Sequence, residues 1–342
     1  MEACFPCLGV RKSRGPPSPV KASPGDPRHR DVPAAARTFS LEELAAATRS
    51  FTDAYLVPGE EPCVYRGHLQ SVNKVVAVRL QHLVDSNDGR VPAEQLNNEF
   101  LARVLMPNAL RHPNLVRLIG FCADGSHRIW VHEYVPLGSL EDHLHDRTPD
   151  KARLDWSTRM NVAAGVARAL EYLHNKGTVY RGLRSSDILL GDGDGDGYHP
   201  KLSLYGVAKI GQVLHEHVEP RDLARKIGGL ALETAMVGKL SAASDVYSFG
   251  VLLLEMVTGR RVFSPQAADK DRTLVAWAQP LLEDKAEFRR MADPALQGRY
   301  PLMDLEEALA VASMCIQDDP AMRSPISAVV SALARLAYDR PS

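Results

Sequence analysis

The stretch SAASDVYSFGVLLLEMVTG, residues 241–259, is a long, mainly apolar segment that ends in a glycine. Its length and the spacing of its apolar residues predict a helix. Three further segments show the same periodicity: residues 154–174, 304–317 and 324–337. The chain beyond residue 137 is therefore predicted to be mostly helical.

The preceding part of the chain predicts strands instead. Residues 61–69 and 73–80 are rich in strand-forming side chains, and residues 114–135 are typical of two strands around a turn. Between them, residues 92–106 have helical spacing. The fold class predicted from these patterns is α+β, with a small β-rich N-lobe and a larger α-helical C-lobe.

Composition places few limits on function. The 342 residues suffice for one large domain or two lobes that share a core, and 45% apolar with 24% charged residues is usual for folded soluble proteins. A net charge of −1 gives no reason to expect nucleic-acid binding. Five cysteines, an odd number, do not suggest a disulfide framework, so we expect a reducing, intracellular compartment.

The N-terminal residues differ in composition from the rest. Residues 1–37 are predicted to be a disordered tether because they are rich in Pro, Ser, Arg and Lys. Ser40 and Glu43 have the spacing of a capping box, which predicts a helix before the N-lobe strands. The expected domains are the tether, an N-lobe over residues 38–133 that includes this helix, and a C-lobe over residues 134–342.

Two cysteines near the start suggest a membrane anchor. Cys4 and Cys7 are followed by three basic residues: Arg11, Lys12 and Arg14. Two acyl chains with adjacent positive charge suffice for stable anchoring, so palmitoylation and a peripheral position at the plasma membrane are predicted. The alternative is an unmodified N-terminus. No apolar segment is long enough to predict a transmembrane helix.

From Thr38 to about Tyr338 the sequence resembles the plant receptor-like cytoplasmic kinases. The resemblance is carried by TFSLEELAAATRSF (38–51), HPNLVRLIGFCADG (112–125), YVPLGSLEDHLHD (134–146), SDVYSFGVLLLEMVTGR (244–260) and ALAVASMCIQ (308–317). It implies the bilobal protein-kinase fold. In that family the activity is Ser/Thr phosphorylation downstream of cell-surface receptors, often in immunity.

The resemblance also identifies catalytic positions, and several hold unusual residues. The proton-accepting Asp of the catalytic loop is replaced by Gly182, and the magnesium-holding Asn by Asp187. The magnesium-binding Asp of the next motif is replaced by Leu204. The phosphate-binding Lys is replaced by Arg79, and its Glu partner by Arg103.

The glycine-rich loop is altered as well. Its three glycine positions hold Val57, Gly59 and Pro62, with Glu60 and Glu61 where phosphate oxygens would lie. A hairpin turn is therefore predicted in place of a phosphate cradle.

The nucleotide cleft is expected to bind ATP weakly or not at all. Candidate contact residues are Gly59, Arg79, His132 at the gatekeeper position, and Asp187. We expect Arg79 to pair with Glu60, Glu61 or Asp187, because leaving its charge buried and unpaired would be costly; the alternative is that Arg79 turns to solvent. No bound metal and no cofactor are expected.

Other kinase positions keep their usual residues. Glu233 and Arg323 match a pair that fastens the activation segment to the C-lobe, and Asp245 matches the Asp that supports the catalytic loop. Arg181, which binds the activation-loop phosphate in such kinases, is expected to pair with Glu219. A solvated Glu219 is the alternative.

These patterns predict a catalytically inactive kinase-like protein, a pseudokinase, that acts as a scaffold, regulator or decoy in membrane-proximal plant receptor signalling or immunity. The expected partners are receptor kinases, active related cytoplasmic kinases and pathogen effectors, with no nucleic acid. The alternative is a weakly active or unorthodox ATP-dependent protein kinase that uses Asp187 and Arg79.

Overall fold

Five strands of the N-terminal part form one sheet. They are β1 (Arg37–Thr38), β2 (Val64–Leu69), β3 (Lys74–Gln81), β4 (Leu118–Cys122) and β5 (Arg128–Glu133). Their order in the sheet is β1-β4-β5-β3-β2, with β1 parallel to β4 and every other neighbouring pair antiparallel. Strands β2 and β3 form one antiparallel hairpin, and β4 and β5 form another, as the alternating apolar residues predict.

The computed structural model describes residues 36–57, 64–81, 100, 104, 108–124, 127–146, 153–193, 197–204, 229–231, 233–234, 240–268 and 271–337. All of these lie within one compact unit, Ala35–Ser342.

One face of the sheet is covered by helix α1 (Leu41–Ala47), which precedes β2. The Ser40 hydroxyl caps α1 by accepting a hydrogen bond from the backbone N–H of Glu43 at 3.1 Å. The core on this side is apolar and contains Phe39, Leu44, Leu69, Val76, Val78, Cys122, Ile129 and Val131. Because strand side chains alternate, the residues between these core positions point to the opposite face.

Strand β1 joins the sheet by a close backbone approach. A Cβ atom at Gly120 on β4 would lie 2.1 Å from the carbonyl oxygen of Arg37, so only glycine fits opposite β1. This contact attaches the segment before α1 to the edge of the sheet.

The C-terminal part is helical, as predicted. Its helices in the described ranges are α2 (Leu140–His145), α3 (Trp156–Asn175), α4 (Ala242–Thr258), α5 (Leu274–Leu282), α6 (Phe288–Met291), α7 (Leu302–Cys315) and α8 (Ile326–Leu336). Helix α4 is buried along nearly its whole length and packs mainly against α7, while α3 packs against α8. The α+β bilobal fold class is confirmed. No described helix is both long and apolar enough to span a lipid bilayer.

The described residues also form short 3-10 helices. One precedes β2 and the others lie in the C-terminal part: Asp53–Tyr55, Ser185–Asp187, Lys285–Glu287, Pro294–Leu296 and Pro320–Met322. A two-stranded antiparallel sheet, β6 (Ile188–Asp192) and β7 (Tyr198–Leu202), packs against α3 through β7. The N–H of Leu137 donates to the carbonyl of Leu190 at 3.0 Å, and the N–H of Val116 donates to the carbonyl of Leu202 at 2.9 Å. Both strands are thus bonded to the segments that connect to the N-lobe.

A buried ion pair joins residue 233 to the base of the C-lobe. The Arg323 guanidinium donates to both carboxylate oxygens of Glu233, at 2.7 and 3.0 Å, and also to the carbonyl of Ala243 at 3.0 Å. The Ser244 hydroxyl donates to Glu233 at 3.1 Å. The Arg323 side chain is 1% exposed and that of Glu233 is 15% exposed, so water reaches this bidentate pair only from the carboxylate side.

We predict that the contribution of this pair to stability is lost in acid. Burial acts to raise the pKa of Glu233, but hydrogen bonds and charge from Arg323 outweigh it and hold the pKa below the usual value of 4.5. A depressed folded pKa means that the stabilisation is complete above pH 4.5 and disappears as the pH falls through the folded value. Glu233→Gln should therefore lower the free energy of unfolding by about 3 kcal/mol at pH 7 and by progressively less below pH 4.5.

Urea denaturation from pH 7 to pH 3 measures this difference. The exposed Glu283 provides the control, since Glu283→Gln should leave stability unchanged throughout. A Glu233→Gln deficit that stays constant over the whole pH range would contradict the prediction.

Candidate active site

The backbone of residues 180–182 is fixed by one buried carboxylate. Asp245, on α4, has no exposed surface. Its two oxygens accept hydrogen bonds from the N–H of Tyr180 at 2.7 Å, the N–H of Arg181 at 2.7 Å and Nε2 of His174 at 2.9 Å. Charge-assisted bonds of this length in a dry environment are strong, so α4 and α3 together hold the start of the loop.

Tyr180 connects this loop to the end of β7. Its ring is fully buried, and its hydroxyl donates to the carbonyl of Ser203 at 2.7 Å. The N–H of Ser203 in turn donates to the carbonyl of Asp187 at 2.8 Å. Burial, followed by the nearby charge of Asp187, raises the pKa of Tyr180 well above its usual value, so the phenol stays neutral and keeps this bond.

The expected proton-acceptor position has a special backbone conformation. Arg181 and Gly182 have φ angles of +79° and +99°, a region that side chains rarely adopt. A Cβ atom at Gly182 would also lie 2.9 Å from a methyl group of Leu230. Glycine is therefore suited to this turn, and it leaves no carboxylate to accept a proton.

Asp187 lies at the end of the 3-10 helix Ser185–Asp187 and is buried. Its carboxylate accepts a hydrogen bond from the N–H of Arg184 at 3.2 Å and pairs with the Arg184 guanidinium at 3.3 Å. The charge of Asp187 is the largest cause of the raised pKa of Arg184. The loop thus presents one carboxylate and one cation side by side.

Arg184 was not among the residues predicted from the sequence. It stands two positions after Gly182 and three before Asp187, so its spacing from two candidate positions was a signal that could have identified it. A 3-10 turn brings i and i+3 together, which explains the pairing with Asp187.

Leu204, at the expected magnesium-binding position, is part of the apolar core. Its side chain is 3% exposed and joins the main hydrophobic cluster of the C-lobe. A side chain without oxygen cannot bind a hard cation such as magnesium. Leu204 instead contributes to the packing of the core.

Arg79 and His132 lie on the face of the sheet opposite α1. Ala77 pairs with His132, and Arg79 with Trp130, across β3 and β5. Burial, and then the charge of Arg79, lower the pKa of the His132 imidazole to about 3. His132 is therefore neutral near pH 7, and its ring stacks on Trp130 with the ring centroids 6.0 Å apart.

The charge of Arg79 also opposes, as the smallest of several contributions, the rise in the pKa of Tyr180 in the catalytic loop. Arg79 is 9% exposed, so it does not lie in open solvent, contrary to the alternative that it turns outward. The proposed pairing of Arg79 with Glu60, Glu61 or Asp187 stays a prediction.

Several predicted positions lie outside the described residues: Cys4, Cys7, Gly59, Glu60, Glu61, Pro62, Arg103 and Glu219. The flanks of the altered glycine loop are described. Leu56 bridges to Tyr65, and the N–H of Val57 donates to the carbonyl of Val64 at 2.7 Å. These contacts have the antiparallel pattern of a hairpin.

The described residues contain no group of three or more His, Cys, Asp or Glu side chains that could form a metal site by themselves. Magnesium in nucleotide sites is commonly bound through one or two protein carboxylates together with phosphate oxygens and water. Asp187 supplies one such carboxylate beside the catalytic loop, so these residues fit magnesium as part of a nucleotide complex.

Comparison with curated proteins finds close relatives in Arabidopsis thaliana. The chain is 50% identical over 335 residues to serine/threonine-protein kinase PBL27, covering 96% of this chain and 63% of the relative. It is 50% identical over 308 residues to serine/threonine-protein kinase PBS1, covering 89% and 65%. It is also 50% identical over 310 residues to the probable serine/threonine-protein kinase PBL7, covering 89% and 79%. The chain thus spans less than two thirds of the first two relatives.

These relatives correct the functional prediction. The expectation of a catalytically inactive scaffold, regulator or decoy is wrong, because chains with half of their residues identical to this one are named serine/threonine-protein kinases. Altered residues at single catalytic positions do not by themselves establish a loss of activity. Phosphoryl transfer depends mostly on positioning and charge, and the described loop keeps its supports. A kinase fold also implies the use of ATP, so the expectation that no cofactor is used is not supported.

The family model for protein tyrosine and serine/threonine kinases matches residues 53–333. This range begins at the 3-10 helix Asp53–Tyr55 and ends within α8, so it includes most of the N-lobe and nearly all of the C-lobe. The chain belongs to the protein tyrosine and serine/threonine kinase family.

Proposed function

We propose that this chain is an ATP-dependent protein kinase that phosphorylates Ser or Thr hydroxyls of protein substrates through an altered catalytic set. The observation that carries the proposal is the catalytic loop itself. Its backbone is held by Asp245, and it presents Asp187 and Arg184 next to each other. The names of the relatives at 50% identity support the same activity.

The remaining charged groups suit the demands of phosphoryl transfer. The transferred phosphoryl group carries negative charge over its oxygens in a loose transition state, so cations and correct alignment supply most of the catalysis. Arg79 lies on the face of the sheet that also carries His132, and Arg184 lies on the catalytic loop beside Asp187. Asp187 would hold magnesium together with the phosphates, and that ion would supply further neutralisation of the phosphate charge.

The missing base lowers the rate and does not abolish it. Positioned general bases contribute roughly a hundred- to ten-thousandfold, so glycine at position 182 predicts a slow enzyme. Without a carboxylate at position 182, the hydroxyl proton would pass to water or to a phosphate oxygen as the new O–P bond forms, while the bond from the γ-phosphorus to the bridging oxygen breaks and ADP leaves with that oxygen. Arg184, beside Asp187, stabilises the charge that develops on the phosphoryl oxygens.

We also propose that the kinase works close to the plasma membrane, with receptor kinases or related cytoplasmic kinases as partners. Palmitoylation of Cys4 and Cys7 would provide the attachment. The resemblance to plant receptor-like cytoplasmic kinases supports this assignment. Fractionation of wild type against a Cys4→Ser/Cys7→Ser double variant distinguishes it from an unmodified N-terminus.

Incorporation of radiolabelled phosphate tests the activity directly. The full chain, incubated with labelled ATP and magnesium or manganese, should label Ser or Thr of a mixed protein substrate. Asp187→Ala should abolish the labelling, because Asp187 is the carboxylate of the loop that fits the metal. The exposed Asp192→Ala, on β6, is the matched control and should keep activity. Absence of incorporation in the wild type, or equal incorporation in Asp187→Ala, would refute the proposal.

Restoring a carboxylate at position 182 should raise the rate at a cost in stability. We expect Gly182→Asp to increase turnover by about tenfold or more, because a base then faces the hydroxyl. The φ of +99° and the contact with Leu230 should lower the free energy of unfolding by about 1–3 kcal/mol.

Gly177→Asp is the control for this variant. Gly177 also has a positive φ, +71°, but a Cβ atom there meets nothing within 4 Å. Gly177→Asp should lower the free energy of unfolding by part of the amount expected for Gly182→Asp, and it should not raise the rate of phosphorylation. A Gly182→Asp protein that folds but phosphorylates no faster than the wild type would show that position 182 does not face the acceptor hydroxyl.

A further inference from the structure

A cavity of about 650 Å³ lies in the C-lobe where α3, α7 and α8 approach one another. Its lining consists of residues 153–157 at the start of α3, residues 295–304 around the start of α7, and Leu336 at the end of α8. We call it the α7 cavity. None of these lining residues belongs to the catalytic loop or to the N-lobe sheet, so a ligand bound here is independent of the proposed kinase function.

The walls of the α7 cavity are mainly apolar and partly aromatic. Leu154, Leu296 and Leu336 are each at most 5% exposed. The rings of Trp156 and Tyr300 meet with their centroids 5.8 Å apart. A volume of about 300–1,000 Å³ and apolar walls with a few polar groups are typical of small-molecule sites. The walls therefore suit the apolar body of a small organic ligand.

One wall residue has a buried donor without an acceptor. Trp156 is 5% exposed, and its indole Nε1 is buried with no hydrogen-bond partner among the described residues. An indole nitrogen donates and does not accept. Because a buried donor without an acceptor is unfavourable, this N–H favours a ligand that brings an oxygen into the cavity.

Helix α7 begins at the same cavity with uncapped N–H groups. Its N-cap residue is Pro301, which provides no side-chain cap, and Pro301 and Asp304 both line the cavity. The N–H groups of Leu302, Met303 and Asp304 make no backbone hydrogen bond among the described residues. The positive end of the dipole of this 14-residue helix therefore lies at the cavity, where it favours an anionic group over a neutral one.

Two guanidinium groups of the lining are available to the same anion. Arg153 is exposed and forms no ion pair with a described residue. Arg299 donates to the neutral side-chain oxygen of Gln297. The guanidinium fork matches the geometry of a carboxylate, so both arginines suit a carboxylate ligand.

The cavity also contains two carboxylates, which differ in their partners. Asp155 caps α3, since it accepts hydrogen bonds from the N–H of Thr158 at 2.8 Å and from the hydroxyl of Ser157 at 3.4 Å. Asp304, in the first turn of α7, has no hydrogen-bond or ion-pair partner among the described residues. Asp304 is therefore the group that most opposes an anionic ligand, and removing its charge should strengthen binding.

We propose that the α7 cavity binds a small organic carboxylate with an apolar, aromatic body. The indole N–H of Trp156 and the N–H groups at the start of α7 donate to the carboxylate, while Arg153 and Arg299 neutralise its charge. The body of the ligand packs on the leucines and on the ring of Tyr300.

Three matched ligands measure this preference without requiring catalysis. 4-Phenylbutyrate carries the carboxylate, 4-phenylbutanamide carries a neutral carbonyl on a similar body, and 4-phenylbutylamine carries a cation. Each is titrated into the full chain labelled with 15N-tryptophan. The chain has three tryptophans, Trp130, Trp156 and Trp277, and Trp156→Phe identifies the Trp156 indole signal in the NMR spectrum by removing it.

We expect 4-phenylbutyrate to shift the indole proton of Trp156 downfield in a saturable manner and to leave those of Trp130 and Trp277 in place. The dissociation constant of the amide should be about tenfold higher, since a neutral hydrogen bond then replaces a charge-assisted one. The amine should not shift the Trp156 signal, because the same donors would repel its positive charge.

Two charge variants locate the effect and keep the test decisive even if Trp156→Phe does not fold. Asp304→Asn should bind 4-phenylbutyrate about threefold more tightly, and Arg299→Gln about threefold more weakly. Lys74→Gln, which removes an exposed cation from β3, is the matched control and should bind like the wild type. A merely structural role of Asp304 would not produce tighter binding.

Three results would each overturn the inference. The first is that 4-phenylbutyrate causes no saturable shift of the Trp156 signal. The second is that the carboxylate and the amide bind with equal affinity. The third is that neither Asp304→Asn nor Arg299→Gln changes the affinity for 4-phenylbutyrate.

Discussion

The candidate active site depends on the carboxylate of Asp245. Three donors from two different segments converge on it: the backbone N–H groups of Tyr180 and Arg181, and the ring of His174. Because Asp245 is wholly buried on α4, these bonds do not compete with water. They fix the turn at Gly182 and, through Tyr180 and Ser203, the position of Asp187. Any catalytic role of Arg184 or Asp187 requires the loop that carries them to keep this position.

Around this fixed loop, several positions that hold polar catalytic residues in protein kinases hold apolar or differently charged residues in this chain. Leu204 packs in the core where a metal-binding carboxylate is expected, and neutral His132 stacks on Trp130 behind Arg79. Arg184 adds a second cation beside the remaining carboxylate. Among the described residues, the guanidinium groups of Arg79 and Arg184 accompany the carboxylate of Asp187, and the proposed activity relies on them for charge stabilisation in a loose transition state.

Much of the fold followed from the sequence. The helical periodicity of residues 241–259 corresponds to α4, and the alternating segments correspond to β2 to β5. Spacing could not show that Gly182 has a φ of +99°, or that Arg184 pairs with Asp187, because both depend on the turn geometry of the loop. Nor could it show that Nε2 of His145 on α2 meets the buried carboxylate of Glu255 on α4, because that contact depends on how the two helices pack. The prediction of inactivity failed because it added the losses expected at separate catalytic positions.

Binding of magnesium–ATP tests the central claim, that this loop still forms a nucleotide site around Asp187. A ligand that binds only the folded state raises the thermal midpoint in proportion to ln(1 + [L]/Kd). We expect millimolar ATP with magnesium to raise the midpoint of the wild type, and expect a smaller rise in EDTA and in Asp187→Ala. An unchanged wild-type midpoint at millimolar magnesium–ATP would contradict the account.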